Sequence, residues 1–308
     1  MKLLLRDLTN SLLRSAPKPL ARHLLKSIWY QPALQDDLRF HVRPYSYESP
    51  IPTRLDLDAE RLKKRRSLPG FQLDDSRFLR LLDELVPFAP EIRQFPLARS
   101  PEAEFWFRNG SYEDVDAACL YCMVRKFKPR HIIEAGCGYS SRLISLACRK
   151  NQAEGHPAGC TFIEPYPSDR ILKDKLAGEL LVKKIEDVPL ETFQALQTGD
   201  ILFIDTSHVV KTQNDCCYEY LQLIPSLPAG VLLHVHDIYT PYDYPEDLIT
   251  RNQFAFNEQY ALECLLTHNP KMEVVLPMFY LWTDYPAQTG RLFPPPSQRP
   301  GAIWLQTK

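Results

Sequence analysis

The pattern of apolar and polar positions changes near residue 105. From residue 113 onwards, short apolar runs alternate with segments of helical period, which predicts strands and helices in turn. The predicted strands are 131–138, 160–164, 180–185, 200–205, 230–237, 272–279 and 301–307, and the predicted helices are 113–127, 140–150, 168–177 and 212–224. Strands that alternate with helices of this length indicate βαβ units and a parallel sheet.

The last two predicted strands are joined differently from the others. A proline-rich loop, Pro294 to Pro296, lies between them, and no long helix is expected there. Parallel neighbours need a long crossover, so this connection favours an antiparallel finish. The sequence therefore predicts an α/β fold with a Rossmann-like, doubly wound, mostly parallel seven-stranded sheet whose last strand is antiparallel.

The first part of the chain has many prolines and few β-branched runs. This composition predicts an α-helical N-terminal extension or lid over residues 1–104, followed by the α/β domain over residues 105–308. A helix is expected over 75–86, with Asp74 or Asp75 as its cap. The basic run 61–66 is interpreted as a solvated helix face rather than as a phosphate contact.

The first 29 residues form a basic amphipathic segment. Its basic residues are Lys2, Arg6, Arg14, Lys18, Arg22 and Lys26, against the single acid Asp7. Its apolar residues at helical spacing are Leu5, Leu8, Leu12, Leu20, Leu24 and Ile28. Such a segment can lie on a membrane surface. We favour a helix that docks on its own domain or on a second subunit, because any docked helix shows this pattern.

Charge and cysteine usage narrow the class of protein. The formal net charge of −1 argues against nucleic acid as the main partner, because a nucleic-acid binder needs a basic excess. No apolar run is long enough to span a bilayer, and no secretory signal pattern is seen, so a cytoplasmic protein with free thiols is expected. Cys119 and Cys122 resemble half a zinc site, but no second pair follows at finger spacing, so we expect core residues.

Acidic residues lie at the ends of three predicted strands. Glu134 is in the first strand, Glu164 ends the second and Asp205 ends the fourth. Gly136 and Gly138 allow a sharp turn after the first strand and a close approach to a ligand. Ligands of open parallel sheets bind at the carboxyl ends of the strands, where an acid can accept both hydroxyls of a ribose.

The glycine turn lacks one feature of a dinucleotide site. The third glycine of G-x-G-x-x-G would fall at Ser141, so the motif is not satisfied. A dinucleotide needs an open helix N-terminus for its pyrophosphate, whereas S-adenosylmethionine has no phosphate. The turn therefore favours S-adenosylmethionine. Two alternatives remain open: a nicotinamide-dependent oxidoreductase and a catalytically silent binding or scaffold module.

Three stretches resemble a known family. Residues 134–141, EAGCGYSS, resemble motif I of class I S-adenosylmethionine-dependent methyltransferases, and residues 204–208 and 230–237 resemble the branch called methyltransferase family 24. The resemblance covers about residues 105–282. It implies S-adenosylmethionine as the cofactor, with Glu164 at the ribose and Glu186 or Asp187 near the adenine. The full set of implied cofactor-binding residues is Glu134, Gly136, Cys137, Gly138, Tyr139, Ser140, Glu164, Glu186, Asp187 and Asp205.

Candidate reacting groups fall at the ends of strands four and five, which are expected to be neighbours. They are Asp205, His208, His236 and Asp237. Methyl transfer to a hydroxyl needs alignment of donor and acceptor and removal of a proton. In the favoured mechanism His208 is the general base, with Asp205 and Asp237 as further catalytic residues.

A second mechanism uses a divalent metal. Catechol-type methyltransferases resemble this arrangement of strand ends, and that resemblance implies metal ligands at Asp205, His236 and Asp237. A bound metal would lower the pKa of the acceptor hydroxyl. Two carboxylates with an imidazole suit manganese, iron or zinc better than magnesium, so the histidine mechanism is favoured.

The remaining candidates near the fifth strand are left open. His234 is expected in the core, and His236 shares its face unless the strand ends before it. The tyrosines at 239, 242 and 244 either line an acceptor pocket or cover the sheet. The resemblance implies O-methylation of a small-molecule hydroxyl, on a sugar or a natural product, and leaves a homo-oligomer open.

Overall fold

The computed structural model describes residues 17–53, 56–295 and 297–308. The chain divides into two compact units, Met1–Leu57 and Asp58–Lys308. None of the helices in the described part of the chain combines the length and the hydrophobicity needed to cross a lipid bilayer.

The first unit contains two helices, α1 over Lys18–Trp29 and α2 over Pro32–Leu38. Pro19 stands in the first turn of α1, where a missing N–H removes no helical hydrogen bond. The side chain of Gln35 on α2 donates to the carbonyl of Trp29 at 3.1 Å and joins the two helices. No described residue of this unit is buried, so it has no core of its own in the described ranges.

The helical pattern predicted for the first 29 residues is confirmed where it can be compared. Leu20, Leu24 and Ile28 all lie on α1 at four-residue spacing. The three earlier positions of that pattern, Leu5, Leu8 and Leu12, lie outside the described residues.

The second unit is built on a seven-stranded sheet. Its strands are β1 His131–Ala135, β2 Gly159–Ile163, β3 Glu179–Leu181, β4 Ile201–Ile204, β5 Leu232–Val235, β6 Met272–Pro277 and β7 Ile303–Thr307. Their order is β3-β2-β1-β4-β5-β7-β6. The first five strands pair in parallel, and β7 is antiparallel to both β5 and β6. The predicted Rossmann-like sheet with an antiparallel last strand is confirmed.

The register of the central strands explains where the site lies. Ala135 pairs with Ile204, and Ile204 pairs with Val235, so β1, β4 and β5 end in one row. All four residues of β4 are buried, as is typical of a parallel strand with helices on both faces. The residues that directly follow these strands therefore meet at one edge of the sheet, where the strand order reverses between β1 and β4.

Short helices connect and cover the strands. They are α3 Ala59–Leu62, α4 Asp75–Leu85, α5 Ala89–Ile92, α6 Asp114–Phe127, α7 Tyr139–Ala153, α8 Leu190–Gln194, α9 Asp215–Tyr218, α10 Ile224–Ser226, α11 Glu246–Thr250, α12 Glu258–Leu266, α13 Met278–Asp284 and α14 Pro286–Leu292. A π-helical segment, Glu219–Leu223, joins α9 to α10. The helix predicted over 212–224 is thus present as one continuous helical segment.

The helix predicted over 168–177 is wrong. Only one turn of 3₁₀ helix forms there, Ile171–Lys173. Asp174 leaves the helix in an extended conformation and forms an ion pair with Arg142. The N–H of Ala177 donates to the hydroxyl of Ser145 at 3.0 Å. Contacts with α7 therefore replace the hydrogen bonds that a longer helix would have made.

The connection between β6 and β7 also differs from the prediction. It contains α13 and α14, not only a proline-rich loop. Pro286 stands at the start of α14, where a helix tolerates proline, and the predicted proline loop begins only after Leu292 ends that helix. The helices bury Tyr280 and Leu292 in the core.

Residues 58–104 pack into the same core as the sheet. Phe78, Leu82 and Leu85 on α4 are buried within it, and the carboxylate of Asp74 accepts from the N–H of Arg77 at 3.1 Å to cap the helix. The predicted domain boundary at 104/105 stays a prediction. The solvated-face interpretation of 61–66 is wrong for Arg66, which forms ion pairs with Glu263 and Asp243.

Candidate functional site

A cavity of ≈ 410 Å³ lies at the carboxyl edge of the sheet. The residues after β1, β2 and β4 line it, together with the turn after β3 and the loop before α9. They are Ala135, Gly136, Ile163, Glu164, Pro165, Tyr166, Lys184, Ile185, Glu186, Thr206, Ser207, Lys211, Gln213, Asn214 and Asp215. Gly136, Glu164 and Glu186, predicted from the sequence, are therefore brought together.

The turn after β1 requires glycine at its first position. Gly136 has φ +88°, and a Cβ there would lie 1.8 Å from the backbone carbonyl oxygen of Asp205. Any side chain would force β1 and β4 apart at their ends. Gly138 is different, because a Cβ there would meet nothing within 4 Å. The turn is thus closed against β4 at Gly136 and open at Gly138.

Glu164 is held in place by backbone groups. Its carboxylate accepts from the N–H of Cys137 at 3.1 Å and from the N–H of Tyr166 at 2.8 Å. These two hydrogen bonds fix the side chain at the cavity wall before any ligand arrives. Each oxygen keeps a second lone pair, so the carboxylate can still accept from a ligand hydroxyl.

Glu134 is a fully buried carboxyl group that makes no close hydrogen bond to a described residue, although the hydroxyls of Ser140 and Ser141 lie near it. Both of its side-chain oxygens are buried, and neither is hydrogen-bonded within the described residues. Burial raises the pKa of Glu134 to about 8, although those two hydroxyls lie near enough to act in the opposite direction and lower the pKa. A buried carboxylate of this kind needs a cation or a donor to be stable in its charged form.

The other predicted cofactor residues are placed in two ways. Cys137 contributes its N–H to Glu164. Tyr139 and Ser140 are buried at the start of α7, and the Tyr139 ring packs edge-on against Trp106 at 5.0 Å. The predicted cofactor residues that do not line the cavity are Glu134, Cys137, Gly138, Tyr139, Ser140, Asp187 and Asp205. Their predicted contact with a cofactor stays a prediction.

His208 lies between carboxylates. Its Nδ1 is 2.8 Å from Glu258 Oε2, and its Nε2 is 3.1 Å from Asp205 Oδ1 and 3.6 Å from Asp237 Oδ2. Burial lowers the pKa of His208, but the hydrogen bonds to Asp205 and Glu258 more than offset this and raise the pKa well above its ordinary value. The surrounding carboxylates therefore favour the charged form of the ring.

His208 has a left-handed backbone, with φ +59°. Its carbonyl accepts from the N–H groups of Asn257 at 3.1 Å and Glu258 at 3.3 Å, at the start of α12. A non-glycine residue in this region is strained and needs surrounding structure to hold it. The start of α12 therefore fixes both the backbone and the ring of His208.

His236 directly follows β5, and its ring stays on the face of His234, with the two ring centroids 6.0 Å apart. Its Nδ1 is 3.5 Å from Asp205 Oδ1 and 3.9 Å from Asp237 Oδ1, and its Nε2 is 3.4 Å from Asp116 Oδ2. Burial lowers the pKa of His236, but the charge of Asp205 and the hydrogen bond to Asp116 raise it well above its ordinary value. The neighbouring carboxylates thus favour the charged form of His236 as well.

Asp205 is the centre of this cluster. Its Oδ1 faces His208 and His236, while its backbone carbonyl lies against Gly136 of the turn after β1. Burial raises the pKa of Asp205, but the charge of His236 and the hydrogen bond to His208 more than offset this and lower the pKa well below its ordinary value. The four residues predicted at the ends of β4 and β5 are therefore adjacent, and Asp205 lies beside Gly136 and Thr206, which line the cavity.

The remaining histidine and the tyrosines are mainly packing groups. His234 is fully buried, stacked on Phe203 at 4.0 Å, which confirms its place in the core. Tyr239 and Tyr244 are buried, and their rings contact each other edge-on at 5.8 Å. Tyr239 also donates from its hydroxyl to Asp237 Oδ1 at 3.0 Å, so it supports the cluster.

Two residues of this cluster are missing from the sequence prediction. Glu258 begins α12 fifty positions after His208, and Asp116 lies on α6, where its carboxylate also accepts from the N–H of Gly301 at 2.7 Å. A signal existed for Asp116, an acid within an otherwise apolar helical run. No signal in the sequence paired Glu258 with His208, because only the tertiary fold brings them together.

A cluster of possible metal ligands also forms away from the predicted set. Among the described residues, Cys216, Glu219 and Glu258 offer ligand atoms that lie within 4.8 Å of one another, all buried. Burial raises the pKa of Glu219 well above its ordinary value, which favours a protonated carboxyl in a hydrogen-bonded core. The predicted metal set of Asp205, His236 and Asp237 stands at ion-pair distances and stays a prediction.

The chain is similar to known proteins over the part that carries the site. Residues 133–238 match the model of a methyltransferase domain family, Methyltransf_24. A protein from Archaeoglobus fulgidus, itself described only as uncharacterized, is 27% identical over 170 residues, 51% of this chain and 75% of that protein.

Two solved structures share part of the architecture. An O-methyltransferase from Bacillus cereus in complex with SAH has a TM-score of 0.38 and 14% identity, over 77% of this chain and 92% of that one. The plantazolicin methyltransferase BpumL in complex with a monoazolic desmethylPZN analog and SAH has a TM-score of 0.39 and 15% identity, over 76% of this chain and 98% of that one. Similarities this distant carry no argument about function.

The family match covers β1 to the end of β5, including Gly136, Glu164, Asp205 and His236. Residues 133–238, about a third of the chain, are therefore similar to a methyltransferase domain, and they include the turn after β1 and the ends of β2, β4 and β5.

Proposed function

We propose that the chain transfers a methyl group from S-adenosylmethionine to a hydroxyl oxygen of a small-molecule acceptor, such as a sugar or a natural product. One observation carries this proposal. Asp205 touches both parts of the site, because its backbone abuts Gly136 at the cofactor turn and its side chain joins His208 and His236. Groups that can accept or donate a proton thus lie directly beside the turn at which we place the methyl donor.

The residues around the cavity fit S-adenosylmethionine. The buried carboxyl group of Glu134, directly before the cavity-lining Ala135 and Gly136, suits the cationic ammonium of the methionine part. Open space at Gly138 and the fixed carboxylate of Glu164 suit close backbone approach and two ribose hydroxyls. Ile185 and Glu186 offer an apolar surface and an acceptor to the adenine. When bound, the cofactor supplies an electrophilic methyl group on a sulfonium.

The cluster beside Asp205 supports a hydroxyl acceptor. A hydroxyl must lose its proton during methyl transfer, and a positioned imidazole can accept it. His208 can do so through Nε2 only when that nitrogen is neutral, and Glu258 and Asp205 oppose the neutral form. We therefore expect turnover to rise with pH above the range of an ordinary histidine, near 6.5.

A metal-dependent version is less well supported. Metal binding requires a neutral imidazole at His236, whereas Asp205 and Asp116 favour the charged ring. Chelation followed by addition of manganese or magnesium tests this version. An activity that disappears on chelation and returns with manganese would overturn the histidine mechanism.

The net charge and the free thiols bear on the class of acceptor and on the location of the protein. A net charge of −1 supports a small-molecule acceptor rather than nucleic acid. All eight cysteines are outside disulfides, which is consistent with the cytoplasm as the proposed location. A homo-oligomer also stays a proposal.

Calorimetry tests the proposal first. The purified chain should bind S-adenosylhomocysteine in the micromolar range, about −8 kcal/mol, and should not bind NAD. A screen of hydroxylated acceptors with a labelled methyl donor should then give an O-methylated product. Tight NAD binding would favour an oxidoreductase instead, and cofactor binding with a product methylated on nitrogen would reject the hydroxyl acceptor alone.

A further inference from the structure

The helix α1 carries an uncovered apolar side. Leu20, Leu24 and Leu25 are 54%, 56% and 52% exposed, and no residue of α1 is buried. At 3.6 residues per turn, Leu20, Leu24 and Ile28 follow one another along one side of the helix, and Leu25 lies at the edge of that side, between Ile28 and Arg22. An apolar stripe of this kind is stable in water only if something covers it.

The opposite side of α1 is basic. Lys18, Arg22 and Lys26 recur at four-residue spacing, all exposed, and residues 17–31 contain no Asp or Glu. Among the described residues none of these three side chains forms an ion pair, although 21 ion pairs are present elsewhere. Their charge is therefore free to attract an anionic partner.

Aromatic residues stand at the end of the helix. Trp29 and Tyr30 lie with ring centroids 4.6 Å apart, and Tyr30 is exposed. Amphipathic aromatic rings favour the level of the lipid headgroups. Leucines on one side, lysines and arginines on the other and aromatics at the end are the features of a helix that lies in a membrane interface.

From this arrangement we propose that α1 docks on an anionic lipid surface. The leucine side enters the boundary between headgroups and acyl chains, and the basic side faces the phosphates. Charge complementarity selects this partner over a second copy of the chain, because two copies would bring like charges together along the helix. A lipid surface also needs no matching pocket, so it can cover an unpaired side of a short helix.

Vesicle co-sedimentation of the full chain tests this proposal. The chain should sediment with vesicles of equal parts phosphatidylcholine and phosphatidylglycerol and not with phosphatidylcholine alone. Binding should fall when salt rises from about 0.1 M to about 1 M, because the screening length falls from about 10 Å to about 3 Å. The double substitution Leu20→Asp/Leu24→Asp should reduce binding by about tenfold or more.

A matched control separates docking from general loss of apolar surface. Leu172→Asp/Leu221→Asp makes the same chemical change at two leucines of the second unit, which are 58% and 74% exposed. This control should bind vesicles like the unmodified chain. Arg22→Gln/Lys26→Gln should lose the preference for anionic vesicles while keeping affinity for S-adenosylhomocysteine, which reports the fold of the second unit.

Three results would overturn the proposal. One is no sedimentation with anionic vesicles, and another is full binding by Leu20→Asp/Leu24→Asp. The third is a change in molar mass by light scattering in that variant without any vesicle binding, which would show that a second copy covers the leucines. None of these readouts depends on methyl transfer, so the proposed function stands or falls separately.

Discussion

The two ends of the site are held by different kinds of contact. At the cofactor end, backbone groups make the contacts: Gly136 packs against the carbonyl of Asp205, and two N–H groups donate to the carboxylate of Glu164. At the reacting end, side chains hold one another. His208 is fixed by Glu258 and Asp205, which come from different elements of the chain.

This difference indicates how substitutions should affect each end of the site. A backbone-held turn depends on a few residues close in sequence, so a single change of shape there disrupts cofactor binding. A network of charged side chains shares its protons over several groups, so a single change there alters protonation and turnover more than shape. The two ends should therefore respond to substitution in separable ways.

The largest expected effect is at Gly136. Gly136→Ala should abolish binding of S-adenosylhomocysteine in calorimetry, because the new Cβ would meet the carbonyl of Asp205 at 1.8 Å. Gly155→Ala is the control, since Gly155 has nearly the same φ, +86°, but nothing within 4 Å of a Cβ. That control should cost only about 1–2 kcal/mol of stability and keep the affinity. If both variants lost affinity for S-adenosylhomocysteine equally, the cause would be backbone strain at a positive φ and not the contact between Gly136 and Asp205.

Next comes the proton acceptor at the other end. His208→Ala should lower turnover by about a hundredfold or more, with affinity for S-adenosylhomocysteine nearly unchanged. His156→Ala, a change at an exposed histidine away from the cluster, should leave both quantities unchanged. A loss of cofactor affinity in His208→Ala equal to the loss of turnover would erase the proposed separation between the two ends.

Glu164 tests the cofactor end with a smaller change. Glu164→Ala removes a fixed acceptor of ribose hydroxyls and should weaken S-adenosylhomocysteine binding by about ten- to a hundredfold. Asp187→Ala should have no effect, because Asp187 does not line the cavity. If the two substitutions weaken binding equally, the loop after β3 closes on the cofactor in a way that differs from the present arrangement.

The cofactor end could largely be predicted from the sequence. Gly136 and Gly138 follow β1 and Glu164 follows β2, and these parallel neighbours end at the same edge of the sheet. The helix predicted over 168–177 failed because Arg142 and Ser145 on α7 bind that segment instead, and such tertiary contacts leave no local pattern. Glu258 was missed for the same reason at the reacting end.

The role of His236 depends on where β5 ends. By alternation along the strand, His236 shared the buried face of His234. The alternation holds, because the rings of His234 and His236 stack with their centroids 6.0 Å apart. His236 differs from His234 only in its position one residue beyond the end of β5, where Asp205 and Asp116 lie beside its ring.

Proton release on cofactor binding should be measurable at Glu134. Burial raises the pKa of Glu134 to about 8, so its carboxyl is mostly protonated at pH 7 without ligand. A bound ammonium favours the carboxylate and lowers that pKa, so binding should release close to one proton at pH 7. At pH values below the raised pKa, the affinity should increase with rising pH, by up to about tenfold per pH unit. Calorimetry in buffers of different ionisation enthalpy counts the proton. Glu134→Gln should bind without proton release, and unchanged release in that variant would reject the assignment.

The smallest expected effect concerns how Glu258 sets the protonation of His208. Glu258 lies 2.8 Å from His208 Nδ1 and helps to raise the pKa of the ring. Glu258→Gln keeps the size of the side chain but removes its charge, so the pKa of His208 should fall towards its ordinary value. The ring then becomes neutral at lower pH, and the rising limb of turnover against pH should move to lower pH by up to about one unit. Glu258→Asp retains the charge and should leave the limb closer to that of the unmodified enzyme. A limb that stays in place in Glu258→Gln, with turnover reduced at every pH, would mean that Glu258 holds only the backbone at the start of α12 and that another group accepts the proton.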